Sequence, residues 1–350
     1  MLAAYVSGHG FGHATRLGEV LRAVRARAPG LPITGVGTVP EALLSRTVAP
    51  PLTLREVACD VGLAQRDALR IDEPATARLC RAFDASWDER LREEVAFLAR
   101  SGARAVVGDI PPLAFAAAAR AGIPSLALGN FSWDWIYRHL APREPALVAS
   151  AERARAAYGE ATLLLELPFA GDLSAFRRRE QVGFVARRPR LARAEARRRL
   201  GLDDRPAALV SFGGVGLPGL GRERLPDTSA VRYLWPDEHG ADRLAALGLE
   251  YPDVVGAVDV VVTKPGYGIV SDAIGAGTRL VYTERGDFPE YPIMVREMPR
   301  YLACAYVSND ALANGQLAGA IERVLAEPMP PPPDLGGAER AAARILEAVG

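Results

Sequence analysis

Short apolar runs alternate with longer stretches of helical periodicity along the chain. In the first half the runs are LAAYVS, LPITGVG, ARAVVGD and IPSLALGN; between them the pattern predicts a helix over 15–27, a longer helical region over 75–100 and a helix over 113–121. The second half repeats the plan with AALVSFGG, a helix, VDVVVTKPG, a helix over 268–276, TRLVYTE and a helix near 310–326. Strands separated by helices make a parallel sheet covered on both faces. The expected fold class is α/β, with two doubly wound units.

Length agrees: 350 residues with 49% hydrophobic content can bury two ordinary cores. Lys plus Arg and Asp plus Glu both number 42, so global charge gives no support for a nucleic-acid partner. Three scattered cysteines, Cys59, Cys80 and Cys304, make neither a disulfide ladder nor a metal-ligand cluster, which fits a reducing cytoplasm. The opening MLAAYVSGHG lacks a charged segment followed by a long apolar one, and no run approaches the ~18 apolar residues of a spanning helix. The expectation is a soluble chain, at most peripheral to a membrane.

Between the halves, 176–200 carries ten arginines against two glutamates. This segment reads either as a solvated linker with a surface helix or as a patch, 177–199, that touches anionic lipid headgroups at the inner face of the membrane. Near the end, EPMPPPP (327–333) should be an extended spacer, followed by an amphipathic helix with Ile345, Leu346 and Val349 on one side.

Directly after the first run comes SGHGFGHATR (7–16), in which Gly8, Gly10 and Gly12 alternate with His9, Phe11 and His13. Glycines at this spacing let backbone approach a ligand and leave amides pointing outward at a helix start. The spacing is not that of the dinucleotide fingerprint, which disfavours a Rossmann dehydrogenase. His13 would occupy the first helical turn at the carboxyl end of a strand, where open α/β sheets place their chemistry; it is either a general base or a surface residue. Asp109 ends the run AVVGD before a Pro-Pro turn and reads equally as the orienter of that base or as a helix N-cap. GNFSWDWIY (129–137) packs Phe131, Trp133, Trp135 and Tyr137 after another strand, as core or as an apolar, sugar-stacking wall.

In VVTKPGYG (261–268), Lys264 is the only lysine beside 41 arginines. It is a survivor of drift in an arginine-biased chain or the fixed cation of an anion site. A strand, a turn at Gly266 and a helix starting near Gly268 or Ile269 favour the second reading: unpaired amides, a positive macrodipole end and a compact ammonium suit a diphosphate. The expected donor-side residues are therefore Lys264, Gly266, Tyr267, Gly268 and Ile269. Asp272 lies one turn further on, placed to accept from a ribose diol or simply to stabilise the helix start. TERGDFPEY (283–291) offers Glu284, Asp287 and Glu290, and SFGGVGLPG (211–219) offers Gly213 and Gly214 as a lid over phosphates. A Walker loop is absent.

Together, GHGFGHATR, SFGG and TKPGYGIVSDAIGAGTRLVYTERGDFPEY resemble the GT-B glycosyltransferases, in particular the group that includes the peptidoglycan N-acetylglucosaminyltransferase and the diacylglycerol glycosyltransferases. GHGFGHATR is also similar to the glycosyltransferase-like N-terminal part of plant L-arabinokinases, without the kinase half. The resemblance implies two Rossmann-like domains facing a cleft, with the acceptor on 1–175, a nucleotide sugar on 176–330, and 331–350 crossing back to the first domain. It implies that His13 and Asp109 match the catalytic His and its Asp partner, that Lys264 stands where plant-type relatives place a histidine, and that Asp272 matches their ribose-binding Glu. An Asp is shorter than that Glu, and Tyr291 replaces a polar sugar contact.

The leading expectation is an inverting, metal-independent glycosyltransferase with no cofactor, using a nucleotide-diphosphate sugar, UDP first among them, and a small-molecule, lipid or glycan acceptor. A nucleotide-sugar hydrolase of the same fold and a non-catalytic nucleotide-sugar-binding protein are the alternatives.

Overall fold

The computed structural model describes residues 1–213, 220–235, 238 and 240–350; Gly214 lies outside the described residues. The chain divides into two compact units. The first comprises Met1–Ala64, Ile71–Val185 and Asp334–Gly350, the second Gln65–Arg70 and Ala186–Pro333.

The first unit is built on a seven-stranded sheet in the order β3-β2-β1-β4-β5-β6-β7. Its strands are β1 (Leu2–Val6), β2 (Ile33–Gly37), β3 (Leu52–Glu56), β4 (Ala105–Asp109), β5 (Ser125–Gly129), β6 (Leu163–Glu166) and β7 (Arg179–Gln181). Every neighbouring pair is parallel. β1, β4 and β5 are buried along their whole length, which is why they read as apolar runs without alternation. β3 and β7 lie at the edges with half-exposed, more polar residues and carry no such signal.

This unit runs past residue 175 because β7 pairs with β6, Leu164 against Arg179. Its last helix, Gly337–Val349, packs on the first helix, Phe11–Arg27, and buries Ala338, Ala341, Ala342 and Ile345. Val349 is buried with them, whereas Leu346 is only half-buried. At the start of this helix a Cβ on Gly337 would meet the Phe184 carbonyl oxygen at 2.5 Å, and that carbonyl accepts from the Gly337 amide at 3.0 Å.

The second unit has a five-stranded parallel sheet in the order β12-β11-β10-β8-β9. Its strands are β8 (Ala207–Val210), β9 (Arg232–Leu234), β10 (Val260–Thr263), β11 (Arg279–Tyr282) and β12 (Cys304–Tyr306). Ala68 and Leu69, from the short segment 65–70, join its core beside Phe212, Trp235 and Val262.

Three helices differ from the pattern. The first starts at Phe11 rather than 15, because Gly10 at φ 76 turns the chain directly into it. The region 75–100 breaks at Ser86, whose hydroxyl bonds back to the Phe83 carbonyl at 3.1 Å, giving helices Glu73–Ala85 and Trp87–Arg100. The stretch near 310–326 is split around Gly315, at φ 71, into Asn309–Ala313 and Ala318–Ala326.

Candidate active site

In the first sheet the strand order reverses between β1 and β4, so the connections leaving their carboxyl ends diverge and open a crevice. The register sets Val6 opposite Asp109, which brings the loop after β1 beside the end of β4. The first helix then presents His13 to Asp109: Nδ1 lies 2.7 Å from Oδ1. Asp109 is fully buried, and His13 is 6% exposed. Burial by itself would raise the Asp109 carboxyl, but the charges of Arg16 and His13 and their hydrogen bonds outweigh it and hold it below the usual range. An ionised Asp109 can only accept, so Nδ1 of His13 carries the proton and Nε2 presents its lone pair. Nε2 makes no hydrogen bond to the described residues.

Asp109 does not cap the following helix. Pro112–Ala121 starts behind Pro111 with no side-chain cap, and the carboxylate is spent on His13 and Arg16 instead. Ile110, next in the chain, is held at φ 56, a region a β-branched residue rarely enters. Its carbonyl accepts from the Tyr158 hydroxyl at 2.7 Å, so the turn that aims Asp109 is fixed from the far side.

The aromatic cluster is core and wall together. Trp133 is fully buried, Phe131 and Tyr137 nearly so, and Trp135 is half-buried. The rings of Phe131 and Trp133 lie 5.7 and 6.0 Å from that of His13. Trp133 donates to Asp60 at 2.9 Å, and Asp60 also receives the Gly8 amide at 3.2 Å, which pins the glycine loop. His9 is not a plain surface residue. Its Nδ1 accepts from the Leu63 amide at 3.2 Å, and its ring meets Trp133 edge-on at 5.2 Å. Gly10 and Gly12 are exposed at the start of the first helix.

In the second sheet the reversal falls between β8 and β10. Gly213 follows β8, exposed and at φ 77, and Lys264 follows β10. The two exits are tied by the Thr263 hydroxyl, which donates to the Ser211 carbonyl at 2.6 Å. The helix Tyr267–Ala276 starts behind Gly266 without a side-chain cap. The first-turn amides of Gly268 and Ile269 have no partner among the described residues, which leaves them available to an anion. Tyr267 is buried.

Lys264 is half-buried. Its Nζ donates to the carbonyl of Ala68, one of its three donors. Burial first, and the charge of Arg285 second, pull its pKa down to about 8 against the opposing pull of Asp67.

Two carboxylates expected to meet ligand hydroxyls are engaged within the protein. Asp272, 2% exposed, accepts from the Arg187 amide at 3.2 Å, from its Nε at 3.3 Å and from its Nη2. Glu290, 1% exposed, accepts from Arg285 at 2.7 Å. Asp287 is exposed. Glu284 receives the Asn309 amide at 2.7 Å and the hydroxyl of Tyr306.

Three arginines thus belong to these strand exits without having been expected there: Arg16, Arg187 and Arg285. Only Arg16 had a usable signal, its three-residue spacing from His13 on one helix face. Of the ten arginines in 176–200, Arg179, Arg187, Arg190, Arg193, Arg197, Arg198 and Arg199 form ion pairs, so the segment's charge is largely consumed within the protein. No described helix is long and apolar enough to cross a membrane. No group of three or more His, Cys, Asp or Glu among the described residues could hold a metal ion.

No family model matches the chain. It is 32% identical over 351 residues to an L-arabinokinase of Arabidopsis thaliana, an alignment covering 93% of this chain. The chain spans about a third (32%) of that relative's length. Among solved structures it resembles a UDP-glucosyltransferase from Polygonum tinctorium capable of glucosylating indoxyl, with a TM-score of 0.59 at 15% identity, covering 99% of this chain and 92% of that one. It also resembles Os79 from O. sativa in complex with UDP, with a TM-score of 0.59 at 15% identity, covering 99% and 95%. The fold is therefore GT-B, two parallel-sheet, Rossmann-like α/β domains.

Proposed function

We propose that the chain is an inverting, metal-independent glycosyltransferase that moves a sugar from a nucleoside-diphosphate sugar, with UDP the first base to test, to a hydroxyl of a small-molecule acceptor. The observation that carries this reading is the buried His13–Asp109 pair at 2.7 Å, at a strand-order reversal, with Nε2 of His13 left as a base. Nε2 takes the acceptor proton, the acceptor oxygen forms its bond to the anomeric carbon, and the bond from that carbon to the diphosphate breaks with its electron pair leaving on the nucleotide. Attack opposite the leaving group inverts the anomeric centre. Asp109 keeps the Nδ1 proton in place and balances the imidazolium that forms.

The leaving diphosphate is assigned to the second unit: to Lys264, the amides of Gly268 and Ile269, and the positive end of their helix. Gly213 and the Tyr267 backbone line the same strand exits. With Asp272 and Glu290 closed by arginines, ribose and sugar hydroxyls fall to backbone groups at these strand exits. Solved structures of the same fold include one holding UDP and one that glucosylates indoxyl, which supports this donor and an aromatic hydroxyl as first acceptor. The finer likeness to the glycosyltransferase-like part of L-arabinokinases belongs to the same proposal, and no kinase step is assigned to this chain.

The test incubates the chain with UDP-glucose and an indoxyl or phenol panel, reading UDP release, product mass and anomeric configuration. His13→Ala should lower turnover by about 10²–10⁴-fold. Wild-type turnover in that variant would sink the reading. Stoichiometric free glucose without acceptor would assign a hydrolase, and tight UDP binding without turnover a binding protein.

A further inference from the structure

Arg16 makes the densest set of contacts around the proposed base. Its Nε donates to Asp109 Oδ2 at 2.7 Å, its Nη2 to Oδ1 at 2.6 Å, and its Nη1 to Asn130 Oδ1 at 2.9 Å. Arg16 is 5% exposed, and Asp109 and Asn130 are not exposed at all. Asn130 is itself held, its amide nitrogen 3.4 Å from the Phe169 carbonyl and its own carbonyl accepting from the Gly171 amide at 2.8 Å. The guanidinium fork is therefore immobilised at both ends. Three consecutive parallel strands converge here: the helix after β1 brings His13 and Arg16, β4 ends in Asp109, and β5 leads into Asn130.

We infer that Arg16 is a positioning residue for the His13–Asp109 pair, locking the carboxylate in plane and balancing its charge so that the pair does not take up a second proton. This rests on the proposed role of His13 as a base. Oδ1 of Asp109 is shared by His13 Nδ1 and Arg16 Nη2, which lie 3.5 Å apart. Protonating Nε2 sets a second cation against that guanidinium, which opposes it. Without Arg16 the buried carboxylate has only the imidazole to neutralise it, and proton uptake becomes favourable at higher pH. The other charged or titratable groups facing the pair are Asp60 from the loop after β3, His9 with its ring 6.3 Å from that of His13, and Tyr158, hydrogen-bonded to Ile110. None of them contacts both Asp109 oxygens, so none replaces the fork.

A pair that binds its proton at higher pH has less free base at any given pH, so the acidic limb of activity moves upward. Losing a like charge this close to the imidazole raises such a midpoint by about 1 unit or more, roughly a tenfold loss of base per unit below it.

The experiment is a long-range ¹H–¹⁵N NMR titration of the imidazoles in the wild type, Arg16→Gln and Arg16→Lys, with His13→Ala to assign the His13 signals. The Nε2 protonation midpoint should rise by about 1 unit or more in Arg16→Gln. It should rise by less in Arg16→Lys, which keeps a cation but reaches only one carboxylate oxygen. A midpoint in Arg16→Gln equal to the wild type overturns the inference; should that variant not fold, an unmoved midpoint in Arg16→Lys does so. The titration needs no substrate. A wild-type chain that transfers no sugar would therefore defeat the proposed function alone, and an unmoved midpoint in an active enzyme would defeat this inference alone.

Discussion

Removing Arg187 should cost the second unit more than removing the charge of its partner Asp272, although the two share one ion pair. The side chain of Asp272 is 2% exposed and that of Arg187 is 22% exposed. In Arg187→Met the carboxylate stays buried with only the residue 187 amide, at 3.2 Å, still donating to it. A buried charge stripped of its partner costs about 3–5 kcal/mol. In Asp272→Asn the side-chain carbonyl still accepts from that amide, and the guanidinium can turn to water and to the Tyr251 ring, whose centroid is 5.4 Å away. That variant forfeits charge-assisted hydrogen bonds worth about 1.5–3 kcal/mol. The double variant leaves no orphaned charge, so its cost should fall below the sum of the singles by about 1–3 kcal/mol. Hydrogen exchange read by mass spectrometry on peptides of 186–333 measures the opening free energy of this unit alone. Equal costs for the two singles, or strict additivity in the double, would refute the reasoning that burial decides which partner is dearer to lose.

Lys264 gives a pH signature. Its pKa lies near 8 in the folded chain against 10.5 unperturbed, so this group binds fewer protons in the folded state between those values and its own contribution to stability rises with pH across that window, against the cysteines, whose raised pKa values act the other way. In thermal melts the stability of the wild type relative to Lys264→Met should therefore rise across that window, and UDP affinity measured by calorimetry should fall above about pH 8 only in the wild type. Gly286 sits at φ 65 with the Leu69 carbonyl oxygen 2.5 Å from where a Cβ would be. Gly286→Ala should therefore cost about 1–3 kcal/mol in denaturant unfolding, whereas Gly266→Ala, whose nearest neighbour would be 3.7 Å away, is the mild control. Ile345, fully buried on the last helix, should cost about 2–5 kcal/mol as Ile345→Ala. The loss should register as faster exchange in the first helix, which carries His13.

The sheet centres were legible because a strand buried on both faces cannot hide its composition: LAAYV, AVVGD and VVVT are β1, β4 and β10. The edge strands were not, since β7 is only REQ and β12 only CAY, too short and too exposed to differ from loop. His13 and Asp109 were legible for a related reason. Asp109 ends a buried run and His13 stands in the first helical turn after another, where open α/β sheets place their chemistry, although an acid there also reads as a helix cap. Their arginine partner was not, because with 41 arginines the residue type carries no information, and whether a guanidinium is buried is decided by strands far apart in sequence.

The carboxylates show the same limit from the other side. Asp109 ends β4, Asp272 lies within the helix Tyr267–Ala276 and Glu290 opens the helix Glu290–Glu297, and each is closed by an arginine: Arg16, Arg187 and Arg285. The physics is common to the three, since a buried carboxylate must find a cation or give up its charge. A sequence read without partners takes Asp272 and Glu290 for free ligand-binding groups. Lys264 breaks the pattern. Its hydrogen-bonded partner is a neutral carbonyl, Ala68, and the nearby Arg285 adds positive charge rather than removing it. Arg285 is already paired with Glu290, whereas Lys264 forms no ion pair among the described residues, and the pull of Asp67 does not restore its pKa. On the proposed reading, a diphosphate at this exit gains Lys264 and the open amides of Gly268 and Ile269 without competing for a lysine already paired with a carboxylate.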